Sequence, residues 1–302
     1  MKATVILNPY AGRWRALKRK PELETALKLA NIDYELLMTQ GPGHGIELAA
    51  KAVQNGSPVI ISAGGDGSIS EVINGMMLAA SLSGYDRLPP VGVFPLGSAN
   101  DLVVNLKLST DLNEAARIIA QGNIKKMDLG EVNSRYFDNN SAIGLEPTIT
   151  LIQQKITWLH GTLRYLLATI IGIIQNHHWE VKIDWDGGSY HGPCTLVTVG
   201  NNPITGGLFY MTPHADPFDG MLTFVHGYMP TRTQTMRLLP RTMKPGEGSY
   251  IEHPNIHEYQ TPWLTIHSLQ PTPMHADGEI QSEALQEINY RIIPAILPII
   301  VR

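Results

Sequence analysis

Apolar and polar positions follow one rhythm over the first 130 residues and another after them. Short apolar runs at Ala3–Leu7, Tyr34–Met38, Pro58–Ala63 and Val91–Pro95 read as buried parallel strands. Between them, Pro21–Ala30, Gly45–Gln54, Ser68–Ala80 and Ser98–Leu106 carry helical patterns. In the third of these, Ile69, Val72, Ile73, Met76 and Met77 fall on one face at i, i+3, i+4 spacing. Strand and helix alternating in this way predict a wound parallel α/β sheet. From about Lys126 a helical pair around Pro147–Gln175 is followed by strand-like runs at Trp179–Ile183, Thr195–Gly200, Gly220–His226, Trp263–Ser268 and Tyr290–Ile293. Gly, Pro, Asn and Asp turns separate them, which predicts a mostly antiparallel second domain. The expected division is 1–127 for the α/β domain and 128–293 for the β-rich one. The apolar, β-branched tail, 294–302, is expected to rejoin the first domain as a strand.

Ligands of wound sheets bind beyond the carboxyl ends of the strands, so the glycines that follow strands direct the search. Gly64-Gly65-Asp66-Gly67-Ser68 joins an apolar strand to an amphipathic helix. Glycines let a backbone approach an anion and aim its N–H groups at it, and a helix N-terminus adds partial positive charge. That pattern suits a phosphate, with Asp66 placed to hold a metal ion or steer the phosphate. It equally describes a tight turn in which Asp66 and Ser68 cap the helix. Pro95-Leu96-Gly97-Ser98-Ala99-Asn100-Asp101 repeats the arrangement, and two such loops on neighbouring strands would form a pocket for a polyphosphate. A third turn, Asn8-Pro9-Tyr10-Ala11-Gly12, precedes Arg13, Arg15, Lys18, Arg19 and Lys20. These cations read as a solvated helix face or as partners for phosphates or anionic head groups. Neither GxxxxGK[ST] nor a strand-following GxGxxG occurs.

Composition narrows the classes. The 302 residues are 43% hydrophobic and 17% charged, which supports a packed core rather than a disordered chain. A net charge of -4 argues against a nucleic-acid partner. A single cysteine, Cys194, forms no internal disulfide and no zinc cluster, and no targeting segment or span-length apolar run stands out, so a cytoplasmic setting is expected.

Together, NPYAG, GGDGSISEVINGM at Gly64–Met76 and PLGSAND at Pro95–Asp101 resemble the diacylglycerol kinase catalytic family, which includes soluble bacterial lipid kinases and sphingosine kinases. Asp128-Leu129-Gly130, Asn201 with Gly206-Gly207, Ala215–Met221 and Asp277-Gly278-Glu279 continue the resemblance in order. It implies a nucleotide-binding domain like that of NAD kinases and phosphofructokinases, a β-sandwich-like second domain and an active site between them. It further implies ATP with Mg2+ as donor and a lipid alcohol such as diacylglycerol as acceptor. By motif match Gly64, Gly65, Asp66, Gly67, Ser68, Gly97 and Ser98, with Asn8, Thr39, Asn100 and Asp101, would hold the nucleotide. Asp277 would be the general base, with Glu279 and Asp66 beside it in the chemistry. Asp216, Asp219, the carbonyl of Met221 and Asp128 would belong to a metal network. Departures touch nucleotide binding rather than the carboxylates: Ala11 stands where Ser is frequent, Ser68 and Ser98 where Thr is common, and Leu208 where a third Gly is frequent.

The segment Leu159–Ile174 is dense in Leu and Ile, with Trp158 and Trp179 near its ends. It reads as a helix buried on a sheet, or as the wall of an acyl-chain cleft touching a membrane transiently. A homodimer is a further expectation. Two rival functions share parts of the pattern: an NAD kinase, which has a similar GGDG loop, and a nucleotide or lipid sensor without turnover. Pro203 after Asn201-Asn202, where the NAD kinase motif needs Glu, and the Asp277-Gly278-Glu279 turn favour the lipid enzyme.

Overall fold

The short apolar runs become strands of a parallel sheet in a computed structural model that describes residues 1–83, 88–159, 161–175 and 177–302. The chain divides into two units, one made of Met1–Leu129 with Pro294–Arg302 and the other of Gly130–Ile293.

The first unit contains β1 (Lys2–Leu7), α1 (Ala11–Lys18), α2 (Lys20–Leu29), β2 (Asp33–Met38), α3 (His44–Gln54), β3 (Ile60–Gly64), α4 (Asp66–Ser83), β4 (Val91–Pro95), α5 (Asp101–Asn105), α6 (Leu112–Gln121) and most of β5 (Ile124–Val132). β1 pairs in parallel with both β2 and β3, and β3 with β4. Val5, Leu7, Ile61 and Ala63 share a core with Leu23, Leu27, Ala115 and Ile119 of α2 and α6. Side chains alternate across a strand, so Ile6 and Ile60, which are equally buried, turn to the other face. There α3 and α4 pack on each other and against β1 and β3. Burial on both faces is why β1, β3 and β4 lack polar alternation, whereas β2 is partly exposed and keeps Asp33 and Glu35.

One helix escapes the sequence reading, and another, read as a solvated helix face, has an irregular start. α6 is strongly amphipathic, with Asp111 accepting the Glu114 N–H at its start and Gly122 left-handed at its end. α1 is interrupted by left-handed backbone at Gly12, Arg13 and Trp14. The helix expected over Ser98–Leu106 begins only at Asp101, because Asn100 is left-handed and its N–H is held elsewhere.

The second unit contains β6 (Arg135–Phe137), β7 (Asn140–Gly144), α7 (Leu145–Lys155), α8 (Gly161–Gln175), β8 (Trp179–Trp185), β9 (Gly188–Cys194), β10 (Leu196–Gly200), β11 (Ile204–Thr205), β12 (Phe209–Tyr210), β13 (Leu222–Gly227), α9 (Arg232–Leu238), β14 (Ile256–Thr261), β15 (Trp263–Ala276) and much of β16 (Glu279–Ile300). Its long strands are antiparallel, in the order β14-β13-β10-β7-β15-β16. β15 pairs with β8 over Leu264–Ser268 and with β7 over Met274–Ala276, and its register against β16 shifts between His267 and His275. Such shifts bend a strand and let it pass from one sheet to another, as the corner of a sandwich requires. Val181, Ile183, Val197, Phe224, Leu264, Ile266 and Ile288 fill the core. Beyond Pro294, β16 belongs to the first unit, where Ile299 pairs in parallel with Val91 of β4 and the Val301 N–H reaches the Asn123 carbonyl.

Cys194 is fully buried in this core, and desolvation pushes its thiol up to about 12. His226 and His257 oppose each other across β13 and β14. Burial, reinforced by His257, brings the His226 imidazole down to about 4, whereas an unfolded His titrates near ~6.5. Between those values the unfolded chain binds the extra proton, so stability falls as pH drops through that window. We expect the melting temperature to decline from pH 6.5 towards 4, and His226→Phe to flatten the decline. Parallel curves for the two proteins would exclude this origin.

Candidate active site

The predicted nucleotide residues line up along one edge of the parallel sheet. Thr39 follows β2, Asn8 follows β1, Gly64 ends β3, and Gly97 and Ser98 follow β4. Strand pairing alone brings them together: the Thr39 N–H donates to the Leu7 carbonyl, the Asn8 N–H to Ala63, and the Leu96 N–H to Gly64. Side chains tie the turns further. Asn8 Nδ2 donates to Ser68 Oγ at 2.9 Å, and Asn8 Oδ1 accepts the Tyr10 N–H at 3.0 Å.

Gly65 and Gly97 meet backbone to backbone. A Cβ on Gly65 would lie 2.9 Å from the Gly97 Cα, and one on Gly97 only 2.4 Å from the Gly65 Cα. The two glycine loops are therefore in direct contact, which no larger residue allows. Asp66 locks them. Its Oδ2 accepts the Asn100 N–H at 2.9 Å and its Oδ1 the Asp101 N–H at 2.6 Å. Asn100 Oδ1 closes the second loop by accepting the Gly97 N–H at 2.9 Å. Asp66, predicted among the catalytic groups, thus positions the start of α5 from the first turn of α4. A part-buried carboxylate that accepts two backbone N–H groups is a rigid strut. Glu71 plays a similar part, accepting the Gly43 and Gly45 N–H groups at 2.7 and 2.8 Å and fixing the turn that leads from Thr39 into α3.

In the second unit, Asp277 occupies the turn between β15 and β16 with left-handed backbone, φ 48°. Its Oδ1 accepts the N–H groups of Asn139 and Asn140 at 3.0 and 3.3 Å, and its Oδ2 that of Asp138 at 3.3 Å. The Asp277 N–H donates in return to the Asn140 carbonyl at 2.8 Å. Glu279, two residues on, is half-exposed and pairs with Arg135 at 3.4 Å.

Asn140 also reaches inward, its Nδ2 donating to Glu146 Oε2 at 3.3 Å. Glu146 is 7% exposed at the start of α7, accepts the Thr198 hydroxyl, and has His275 Nε2 at 3.6 Å. The sequence reading missed this carboxylate. Its signal was a lone acid in the apolar stretch Ala142–Ile152 directly after a strand-ending glycine. Glu146 is the one charged residue, among the described residues, in the lining of a pocket of about 640 Å3, part of it open to solvent. Ile149, Tyr165, Ile173, Phe209, Met229 and Tyr250 make most of the wall. α8 contributes to both the core and the pocket: Ala168 and Ile173 are buried, Tyr165 and Thr169 line the pocket, and Leu163 and Ile174 are exposed.

The residues predicted as metal ligands are less gathered. Asp216 and Asp219 share a turn in which Asp216 Oδ1 accepts the Phe218 N–H at 3.1 Å and Asp219 Oδ1 the Met221 N–H at 2.9 Å. Gln260 Nε2 donates to Asp219 Oδ2 at 3.1 Å. Asp128 lies in the other unit, buried, with its Oδ1 accepting the Ala295 N–H at 2.6 Å. Among the described residues no three His, Cys, Asp or Glu side chains form a metal-holding group. That donor set fits Mg2+ only in the manner of nucleotide sites, where one or two carboxylates join the substrate's phosphates and water.

Known proteins resemble the whole chain. The family model for the diacylglycerol kinase catalytic domain matches residues 2–132. The model described as the YegS C-terminal NAD kinase beta sandwich-like domain matches residues 140–301. The diacylglycerol kinase of Staphylococcus carnosus is 27% identical over 279 residues, 92% of this chain and 88% of the relative. That of Staphylococcus saprophyticus is 25% identical over the same shares. A solved Bacillus anthracis structure, described as a candidate diacylglycerol kinase, has a TM-score of 0.81 at 22% identity, covering 100% of this chain and 97% of its own, and so shares the fold.

Proposed function

This chain belongs to the diacylglycerol kinase catalytic family, and from that premise we propose that it transfers the γ-phosphoryl group of ATP to the hydroxyl of diacylglycerol or a similar lipid alcohol. The observation that carries the reading is the junction, within one unit, of an apolar pocket with a carboxylate turn. Asn140 bonds Asp277 on one side and the pocket's Glu146 on the other. Among the described residues, buried Asn140 Oδ1 has no hydrogen-bond partner, and an acceptor oxygen of that kind fits a ligand that carries hydroxyl donors. Lipid chains would enter the pocket, and the polar end would turn toward Asn140, Glu146 and Asp277. Exposed Trp158 and Leu163, at the end of the α7–α8 pair, suit transient contact with a membrane surface.

The chemistry assigned to each group follows. Asn8, Thr39, Gly64–Ser68, Gly97, Ser98, Asn100 and Asp101 would receive the nucleotide, with Asp66 keeping both glycine loops in register. Asp277 takes the proton of the attacking hydroxyl as the new O–P bond forms, and ADP leaves. Its backbone donors hold the carboxylate in one orientation, and Glu279 stays alongside. Mg2+, when bound to the phosphates, would supply charge neutralisation; Asp216, Asp219 and the Met221 carbonyl would hold a separate structural metal ion in the second unit, with Asp128 assigned by the family resemblance to that network.

Transfer of labelled γ-phosphate from ATP with Mg2+ tests the reading on micellar diacylglycerol, monoacylglycerol and sphingosine, with NAD as soluble control. A labelled lipid is the expected product. Labelled NAD alone would assign an NAD kinase instead, and nucleotide binding with no labelled product from any acceptor would favour a sensor.

A further inference from the structure

The turn after β1 contains the most unusual backbone in the first unit. Gly12, Arg13 and Trp14 have φ of 58°, 58° and 67°, three left-handed residues in succession, two of them with side chains. L residues avoid this region, and strain of this kind persists where the surroundings impose it, often at a binding site. Its consequence here is the placement of Arg15. Nε of Arg15 turns back to donate to the Gly12 carbonyl at 2.9 Å, and Nη2 lies 3.4 Å from Ser98 Oγ, in the loop after β4. Gly12 makes room for this: a Cβ there would lie 3.0 Å from Arg15 Nε and 3.1 Å from the Leu96 carbonyl. Nearby Arg19 and Lys20 are paired with Glu22 and Glu24. Among the described residues, no carboxylate forms an ion pair with Arg15.

We propose that Arg15 is a phosphate-binding residue that grips the polyphosphate of the nucleotide over the Gly97–Ser98 loop. This rests on the reading that the loop receives a nucleotide. The glycine loops contain no lysine, so a guanidinium brought to Ser98 supplies the fixed cation that a Walker lysine supplies in other nucleotide sites. Arginine suits the task because its planar fork can give two parallel N–H groups to one phosphate. The backbone hydrogen bond from Nε fixes the plane of that fork.

Isothermal titration of the full chain with ATP, using the Arg15→Gln and Arg15→Lys variants, tests the assignment. Arg15→Gln is expected to weaken ATP binding by about 10- to 100-fold, the range of one charged hydrogen-bonding partner. It should also reduce the salt dependence of binding, raise KM for ATP, and leave KM for the lipid and the melting temperature unchanged. Arg15→Lys should fall between. Wild-type affinity and salt dependence in Arg15→Gln would overturn the proposal while leaving the kinase reading intact. A wild-type chain that binds no nucleotide would overturn both.

Discussion

Replacing Asp277 by Asn lowers phosphoryl transfer by about 10²- to 10⁴-fold, the range set by loss of a general base. The substitution isolates the proton-taking role because the site is otherwise tolerant of it. Asn adopts left-handed backbone readily, so the φ of 48° adds no new strain. Its Oδ1 can still accept the Asn139 and Asn140 N–H groups. The bond from the Asp138 N–H to Oδ2 is replaced by a donor facing a donor. We therefore expect a modest fall in melting temperature, unchanged ATP affinity and a large fall in kcat. Retention of turnover near the wild-type level would remove Asp277 from the chemistry.

A second large effect is expected where nothing chemical is altered. Gly97→Ala places a methyl group 2.4 Å from the Gly65 Cα and 2.8 Å from Asn100 Oδ1. Neither loop can yield without disturbing the Leu96–Gly64 backbone bond or the two N–H groups held by Asp66. Overpacking at such a contact destabilises by about 1–3 kcal/mol, a fall of several degrees in melting temperature for a unit of this size. KM for ATP should rise more than tenfold, because both phosphate loops move. Gly246→Ala is the control: a Cβ there meets nothing within 4 Å, and both readouts should stay put. If Gly97→Ala behaves like the control, the contact between the loops is unimportant.

Which parts of this molecule could be read in the sequence depends on how far apart the interacting residues lie. β1, β3 and β4 were legible because double-sided burial imprints itself on five or six consecutive residues, and the more exposed β2 by its apolar Tyr34, Leu36 and Leu37. The motifs that follow them were legible because each sits at the end of its own strand, and parallel pairing then aligns the ends. Contacts between motifs were not. Asp66 looked like a ligand or a cap for its own helix, yet it bonds the start of α5, more than thirty residues away. The shorter α5 has the same cause. In the second unit, the cluster of Asn140, Glu146, Thr198 and His275 is assembled by antiparallel pairing, in which Ala142 stands opposite both Thr198 and His275. No local pattern announces such an encounter. α6 was missed for a different reason: its Asp111 cap and Gly122 terminator are plain local signals, but they lie outside the glycine loops on which attention fell.

The return of β16 to the first unit sets an order of events during synthesis. Residues 1–129 emerge first, with β1 to β4 and their helices able to collapse as soon as they leave the ribosome. Leu297, Ile299 and Ile300 are nevertheless buried in that unit, Ile299 beside Val91. The edge of β4 that faces away from β3 therefore has no strand neighbour until residues 294–302 have been made and released from the exit tunnel. All of 130–293 is translated in the interval, and that unit has its own core. The part of the protein that is made first is thus the part that finishes folding last, with an apolar sheet edge open to other chains for the whole of that time.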